Sequence, residues 1–253
     1  MHPELPYFAA PRPRVLAHRG LAIAAPENTL RAFAHAVAAG VTHIETDVHV
    51  SADGQAIVAH DPTLSRIVGL PQRVSELTAA ELARLDLGYE QHMPALAEVL
   101  DAFPDTCFNI DVKIADAVAP AVEAVQAARA DHRVLLTSFS ERRRRAAVAL
   151  LPHVATSASG PRFAAALLAS VARSEPLVRV ALRGLHAVQI PARALSLDTL
   201  TPARIRAFHA AGVEVHVWTI NDEPEMRRIL LLGVDGIVTD RADIALEVVR
   251  SLG

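Results

Sequence analysis

Residues 214–250 read EVHVWTINDEPEMRRILLLGVDGIVTDRADIALEVVR. Glu214 to Ile220 is an apolar strand pattern, and a helical pattern follows from Glu223 to Leu232, ended by Gly233. Gly236 to Thr239 is a second strand, and Ala242 to Arg250 is the last helix. Strand and helix alternating in this way imply a parallel sheet covered by helices. The same rhythm runs backwards through the chain. Cys107–Val112, Arg133–Ser138, His153–Ser157 and Ala187–Ile190 read as strands. Ala115–Ala130, Glu141–Leu151, Arg162–Arg173 and Pro202–Ala211 read as helices between and after them. Near the start, Arg14–Ala17 is a short strand ending in His18-Arg19-Gly20, with a helix from about Asn28 to Ala39 before Gly40. A further strand begins at Val41.

Eight such strands in 253 residues predict an α/β chain closed into a (β/α)8 barrel, one domain over 1–253. An open doubly wound sheet is the alternative, disfavoured because no GxGxxG follows the first strand. Residues 62–93 break the rhythm and read as a small insertion after the second strand, with Thr78 and Glu81 at capping-box spacing.

Composition narrows the function classes. Hydrophobic residues at 51% supply a large core, and 21% charged residues exclude a disordered chain. A net charge of −3 gives no sign of nucleic-acid affinity. The single cysteine, Cys107, forms no internal disulfide and reads as a buried thiol in a strand. The first residues, MHPELPYFAAPRPRV, are a proline-rich lead-in without an apolar h-region. No apolar run reaches the roughly 18 residues that span a bilayer. A cytoplasmic protein without stable membrane insertion is expected; nothing in the sequence sets an oligomeric state.

The chemistry concentrates in Val41–Asp61, VTHIETDVHVSADGQAIVAHD. With a strand period of two, His43, Glu45 and Asp47 share one face and Ile44, Thr46 and Val48 the other. Neighbouring carboxylates repel unless a cation, a proton or a basic group lies between them. Asp53-Gly54 is a hairpin turn signal that folds the chain back to His60. Solvated acids at a strand end are the bland reading. Against it stands the distribution of other polar residues. Barrel enzymes carry their chemistry at the C-terminal strand ends, where His18 and Arg19, Glu45 and Asp47, Asn109, Asp111 and Lys113, and Trp218 all fall, with His60 returning to the same rim.

The segments HRG (18–20), PENT (26–29), ETDVHVSADGQAIVAHD (45–61), NIDVK (109–113), WTIND (218–222) and GIVTDRAD (236–243) resemble the glycerophosphodiester phosphodiesterase family, in its order and over nearly the whole chain. The resemblance implies a TIM-barrel hydrolase cleaving glycerophosphodiesters to an alcohol and sn-glycerol 3-phosphate. It implies one divalent cation, Mg or Ca with Mn as a third option, on Glu45, Asp47 and Asp111. It implies His18 as general base and His60 as general acid, with Arg19, Lys113 and Trp218 meeting a small-molecule substrate. Residues 62–93 would be the family's insertion over the barrel mouth. The residue types suit the reaction. A phosphodiester anion needs charge neutralisation at its oxygens and proton transfers at the attacking and leaving oxygens, and histidine titrates near neutrality.

One position departs from the family pattern. The third metal carboxylate is usually a glutamate in N-x-E-x-K, and this chain has Asp111, one methylene shorter. Direct coordination and a water bridge both stay open.

Other readings compete. A phospholipase D-like variant would expose apolar residues at the mouth, with Leu64, Ile67, Val68 and Leu70 as candidates. A non-catalytic barrel binding a phosphorylated ligand would have lost a histidine or carboxylate, and none is lost outright. A zinc amidohydrolase-type barrel lacks its HxH after strand one. For Trp218 core packing competes with a substrate wall. Asn28 reads as a helix cap, His216 as a satisfied interior histidine, and Glu141–Arg145 as a solvated helix face.

Overall fold

Arg14–His18 (β1) lies between two parallel neighbours, pairing Ala17 with Ile44 on one side and with Thr239 on the other. The computed structural model describes residues 5–252, so the first four residues of the proline-rich lead-in lie outside the described residues. The remaining barrel strands are His43–Val50 (β2), Cys107–Val112 (β3), Val134–Thr137 (β4), Ala155–Thr156 (β5), Ala187–Pro191 (β6), Glu214–Trp218 (β7) and Gly236–Thr239 (β8). Their order is β5-β4-β3-β2-β1-β8-β7-β6, all parallel, and a bridge between Ser157 and Ala187 joins the two ends. This is the (β/α)8 barrel.

The two-residue period divides each strand between the helical shell and the barrel lumen. Val15, Ala17, Ile44, Val48, Phe108, Ile110, Val215 and Val217 face outwards into one continuous core with the helices. Lumen positions are far more polar, with Arg14, His43, Glu45, Asp47, Asn109, Asp111 and His216 all buried. The floor is closed by the 3-10 turn Pro6–Phe8, whose Tyr7 is fully buried and packs edge-on to His43 with ring centroids 4.9 Å apart.

Register then fixes the mouth. Asp47 pairs with Asp111, Glu45 with Asn109, and His18 with Glu45. Parallel strands in register stack these side chains in two successive levels, His18, Glu45 and Asn109 below Asp47 and Asp111, so three segments deliver carboxylates and an imidazole to the same rim.

Several local expectations change. The first helix is Leu30–Ala39, and its cap is Thr29, whose side chain accepts from the Ala32 amide; Asn28 is not the cap. A helix at Glu175–Leu182 and a short hairpin at Arg193–Asp198, on either side of the expected strand at 187–190, were not read from the sequence. Within 62–93, Thr78 and Glu81 do form the expected capping box on Ala79–Leu82. Leu64, however, is fully buried in a small cluster with Ile57, Val74, Leu82 and Met93, against which Val68 and Leu70 pack. These leucines and valine are the segment's own core rather than an exposed apolar rim, and half-buried Ile67 does not line the mouth either. The Glu141–Arg145 face is only partly solvated. Arg144 is buried in a two-pronged bond to Glu141, and Arg143 donates to Ser138 Oγ at 2.9 Å.

Candidate active site

The first active segment is shaped by backbone conformations that side chains seldom adopt. Arg19 and Asn28 have φ of 57° and 58°, and Gly20 has 86°. A Cβ on Gly20 would stand 2.7 Å from the Ala32 carbonyl carbon, so this turn admits only glycine. Left-handed non-glycine residues cost of order 1 kcal/mol each and persist where the surroundings hold them. Here the Asn28 amide donates to Arg19 O at 2.9 Å, and the Asn28 side-chain oxygen accepts from Thr46 Oγ1 at 2.8 Å. Asn28 thus ties the first loop to β2, and the left-handed turn sends the Arg19 side chain back over the lumen.

Three carboxylates occupy the mouth with too few cations. Lys113 Nζ bridges Asp47 Oδ1 at 2.6 Å and Asp111 Oδ2 at 2.7 Å. Arg19 Nε lies 3.4 Å from Asp47 Oδ2 without hydrogen-bond geometry. Glu45 Oε2, Asp47 Oδ2 and Asp111 Oδ1 are buried and have no hydrogen-bond partner among the described residues. Burial and the neighbouring Asp47 push the Glu45 carboxyl well up. Burial also raises Asp111, with Lys113 opposing it. Burial alone would lower Lys113, but Asp47 and Asp111 outweigh it and hold the ammonium above its ordinary value. Among the described residues no three His, Cys, Asp or Glu side chains are already gathered as a metal-ligand cluster. The donor set nonetheless fits a hard divalent cation, since each of the three carboxylates keeps one buried, unpartnered oxygen and oxygen is the ligand that Mg and Ca take.

Both histidines are anchored through the same ring nitrogen. His18 Nδ1 is 2.6 Å from Asp240 Oδ1, and His60 Nδ1 is 2.8 Å from Asp61 Oδ1. The second oxygen of Asp61 accepts from Arg66 Nε, and Arg66 also pairs with Glu27 at 2.6 Å. Glu27 in turn receives Arg19 Nη1 at 3.0 Å. A continuous ion-pair chain therefore runs from the base of the 62–93 segment to the arginine over Asp47. Burial raises the Asp61 carboxyl, but the bonds from Arg66 and His60 outweigh it and keep the group below its ordinary value.

All eight residues singled out from the sequence line one cavity of ≈ 400 Å³: His18, Arg19, Glu45, Asp47, His60, Asp111, Lys113 and Trp218. Its far side is apolar. Trp218 meets Phe139 edge-on with centroids 6.0 Å apart, and Phe163 and Pro191 continue the wall. Sequence reading did not single out Asp61, Asp240 or Phe139. Asp61 and Asp240 stand inside the quoted motifs, which was the available signal; Phe139 gave none. His216 is fully buried with Nε2 3.1 Å from Glu214, yet its Nδ1 has no partner among the described residues, so it is half-satisfied. Cys107 is half-buried, and burial pushes its thiol up.

A parallel barrel with acids, bases and cations gathered at its C-terminal mouth defines a (β/α)8 enzyme. The chain belongs to the glycerophosphoryl diester phosphodiesterase family, whose pattern matches residues 18–244. It is 41% identical over 240 residues to "Probable glycerophosphodiester phosphodiesterase 2" of Mycobacterium tuberculosis, covering 94% of this chain and 91% of that one. It is 30% identical to the mouse "Lysophospholipase D GDPD1", covering 90% and 83%. Its fold resembles that of an Oleispira antarctica phosphodiesterase solved with the product sn-glycerol-3-phosphate, with a TM-score of 0.79, 26% identity and coverage of 94% and 97%.

Proposed function

We propose that the protein hydrolyses glycerophosphodiesters to an alcohol and sn-glycerol 3-phosphate with the help of one divalent cation. The observation that carries this reading is the mouth itself, where two aspartate-anchored histidines and two cationic side chains surround three carboxylates with unpartnered oxygens. Family membership and the glycerol phosphate complex of the Oleispira relative support the same substrate. Glu45, Asp47 and Asp111 would hold the cation, which when bound neutralises charge on the phosphoryl oxygens. Arg19 and Lys113 add positive charge beside it. His18 takes a proton from attacking water, and His60 gives one to the leaving alcohol, each through Nε2, the nitrogen that its aspartate leaves free. The Trp218–Phe139 wall excludes water and receives the carbon skeleton of the substrate.

Asp111 sets the metal preference. Its short arm suits a site that retains water, which Mg tolerates better than Ca. Mg or Mn should therefore support turnover at least as well as Ca. The apolar wall and the mouse relative favour a second reading, in which the substrate is a lysophospholipid whose acyl chain lies against the wall and whose head-group alcohol leaves. A cytoplasmic location is part of the proposal; among the described residues no helix is long and apolar enough to cross a membrane. The test is a panel of glycerophosphodiesters and lysophospholipids assayed with Mg, Mn and Ca after exhaustive chelation. Glycerol 3-phosphate released only when metal is restored is the expected result. Full turnover with metal content verified as negligible would falsify the metal-assisted reading.

A further inference from the structure

We infer that Asp240, oriented by Asn221, is a positioning residue for His18: it fixes the imidazole with its proton on Nδ1 and leaves Nε2 bare towards the cavity. The assignment follows from a chain of donors and acceptors in which each member has one choice. The Asn221 side-chain oxygen faces the Asp240 backbone N–H at 2.9 Å and Thr239 Oγ1 at 3.0 Å. A backbone N–H only donates, so this end of the amide must be the oxygen and the other end the NH2. Thr239 is bound in the same sense, because its hydroxyl oxygen already accepts from the Arg241 N–H at 2.9 Å and so points its proton at Asn221. The Asn221 NH2 group then lies 2.6 Å from Asp240 Oδ2, which must accept. The remaining oxygen, Oδ1, faces His18 Nδ1 at 2.6 Å. Bonds from His18 and Asn221 outweigh burial and hold the Asp240 carboxyl below its ordinary value, so it carries no proton to donate. Nδ1 is the donor, and the neutral ring has its lone pair on Nε2.

That nitrogen is uncommitted. Its nearest charged neighbour, Glu45 Oε2, is 3.8 Å away, beyond hydrogen-bond distance. A purely structural role for the pair is a poor account of it. The Asp240 side chain is 52% exposed, where ion pairs add little to stability. Among the described residues neither carboxylate oxygen accepts from a backbone amide of the following helix, Ala242–Leu252, and the Arg241 amide just before it is served by Thr239. His60 shares the Nδ1 anchor, but Asp61 divides its charge with Arg66 in a direct ion pair, whereas among the described residues Asp240 is hydrogen-bonded only to a neutral side-chain amide besides His18, with the Arg19 charge nearby.

The kinetic part of this inference rests on the reading of His18 as a proton acceptor; the tautomer does not. The experiment is long-range 1H–15N correlation of the imidazoles in the substrate-free protein at about pH 8.5, where an ordinary histidine is neutral. His18 is picked out among the twelve histidines by the signal missing from His18→Gln. The wild type should show the Nδ1–H form. In Asp240→Asn the Asn221 NH2 still demands an acceptor, so the new amide turns its oxygen there and its NH2 to His18, and the ring should switch to Nε2–H. kcat should fall by at least about 10², with KM within about threefold, and Asp240→Glu should recover part of the loss. The melting temperature should move by less than about 3 °C. An Nε2–H ring in the wild type, or an unchanged Nδ1–H ring in Asp240→Asn, overturns the assignment whatever the kinetics. A switched tautomer in a protein without phosphodiesterase activity would keep Asp240 in place and remove the proposed reaction.

Discussion

The two ends of the barrel lumen are both charged, and they handle charge in opposite ways. At the floor, Arg14 pairs with Glu214, which also lies 3.1 Å from His216 Nε2. Asp235 receives Arg12 at 2.7 Å, His209 at 2.7 Å and the Val215 N–H at 2.8 Å. Each floor carboxylate meets at least two basic groups. At the mouth three carboxylates share Lys113 and a distant Arg19, and three of their buried oxygens have no hydrogen-bond partner among the described residues. Buried charge that is fully paired holds a structure together, whereas buried charge left short of a counterion raises the energy of the empty site and favours whatever cation arrives. The floor pairs its charge; the mouth is where we propose that the cation binds.

The sharpest way to break this contrast is at the histidines. His18→Ala and His60→Ala should each lower kcat by at least about 10² while circular dichroism shows intact folding, and the double variant should be little worse than either. A single variant that retains near wild-type kcat on an ordinary diester would cost that histidine its role. An activated leaving group that rescues His60→Ala and not His18→Ala would identify His60 as the acid.

At the carboxylates proposed to hold the cation the effect is on affinity. Asp111→Ala should weaken binding of Mg by roughly 10-fold or more in calorimetry, the scale on which even supporting residues act at metal sites. Asp111→Glu should keep binding and shift preference towards Ca. Unchanged affinity in Asp111→Ala would leave this residue as a partner of Lys113 alone.

The floor should respond in stability rather than activity. Burial pushes the Asp235 carboxyl up, but His209, the Val215 amide and Arg12 outweigh it and hold it at about 2, against an ordinary 3.8. An acid depressed in the fold contributes stability that is present above its unfolded value and lost as the pH falls through the folded one. Asp235→Asn should thus lose roughly 2 kcal/mol in urea unfolding at pH 7 and should flatten the loss of stability between about pH 4 and 2. Its kcat should stay within about twofold, because the mouth is untouched. An equal loss of activity would show that the two ends are coupled.

The smallest effect has the opposite sign. Burial and Asp47 make an ionised Glu45 costly, so Glu45→Gln should raise the metal-free melting temperature by roughly 2–4 °C per kcal/mol recovered. The same variant should lose much of the further rise that added Mg gives the wild type. Scanning calorimetry with and without chelator reads both, and a lower metal-free melting temperature would refute the idea that the mouth is destabilised by its own charge.

What the sequence determined by itself was much of what depends on neighbours along the chain. The strand–helix rhythm of 214–250 marks a parallel barrel, and the two-residue period of β2 puts Glu45 and Asp47 on one face. The Thr78–Glu81 spacing caps a helix that is there. These patterns are legible because backbone geometry couples residues two to four apart. Other features were decided only when the barrel closed. Asp240 reaches His18 across 222 positions because β8 and β1 are neighbours in the ring. Arg66, Glu27 and Arg19 form one chain from three segments. Arg144, in a run that looks solvated, is buried against Glu141, and Leu64 lies in a core instead of at the mouth. Thr29 rather than Asn28 caps the first helix because Asn28 is taken up, in a left-handed conformation, by Thr46 of β2. Which partner a polar side chain finds is set by strand register and by the packing of distant segments, and neither leaves a period in the sequence.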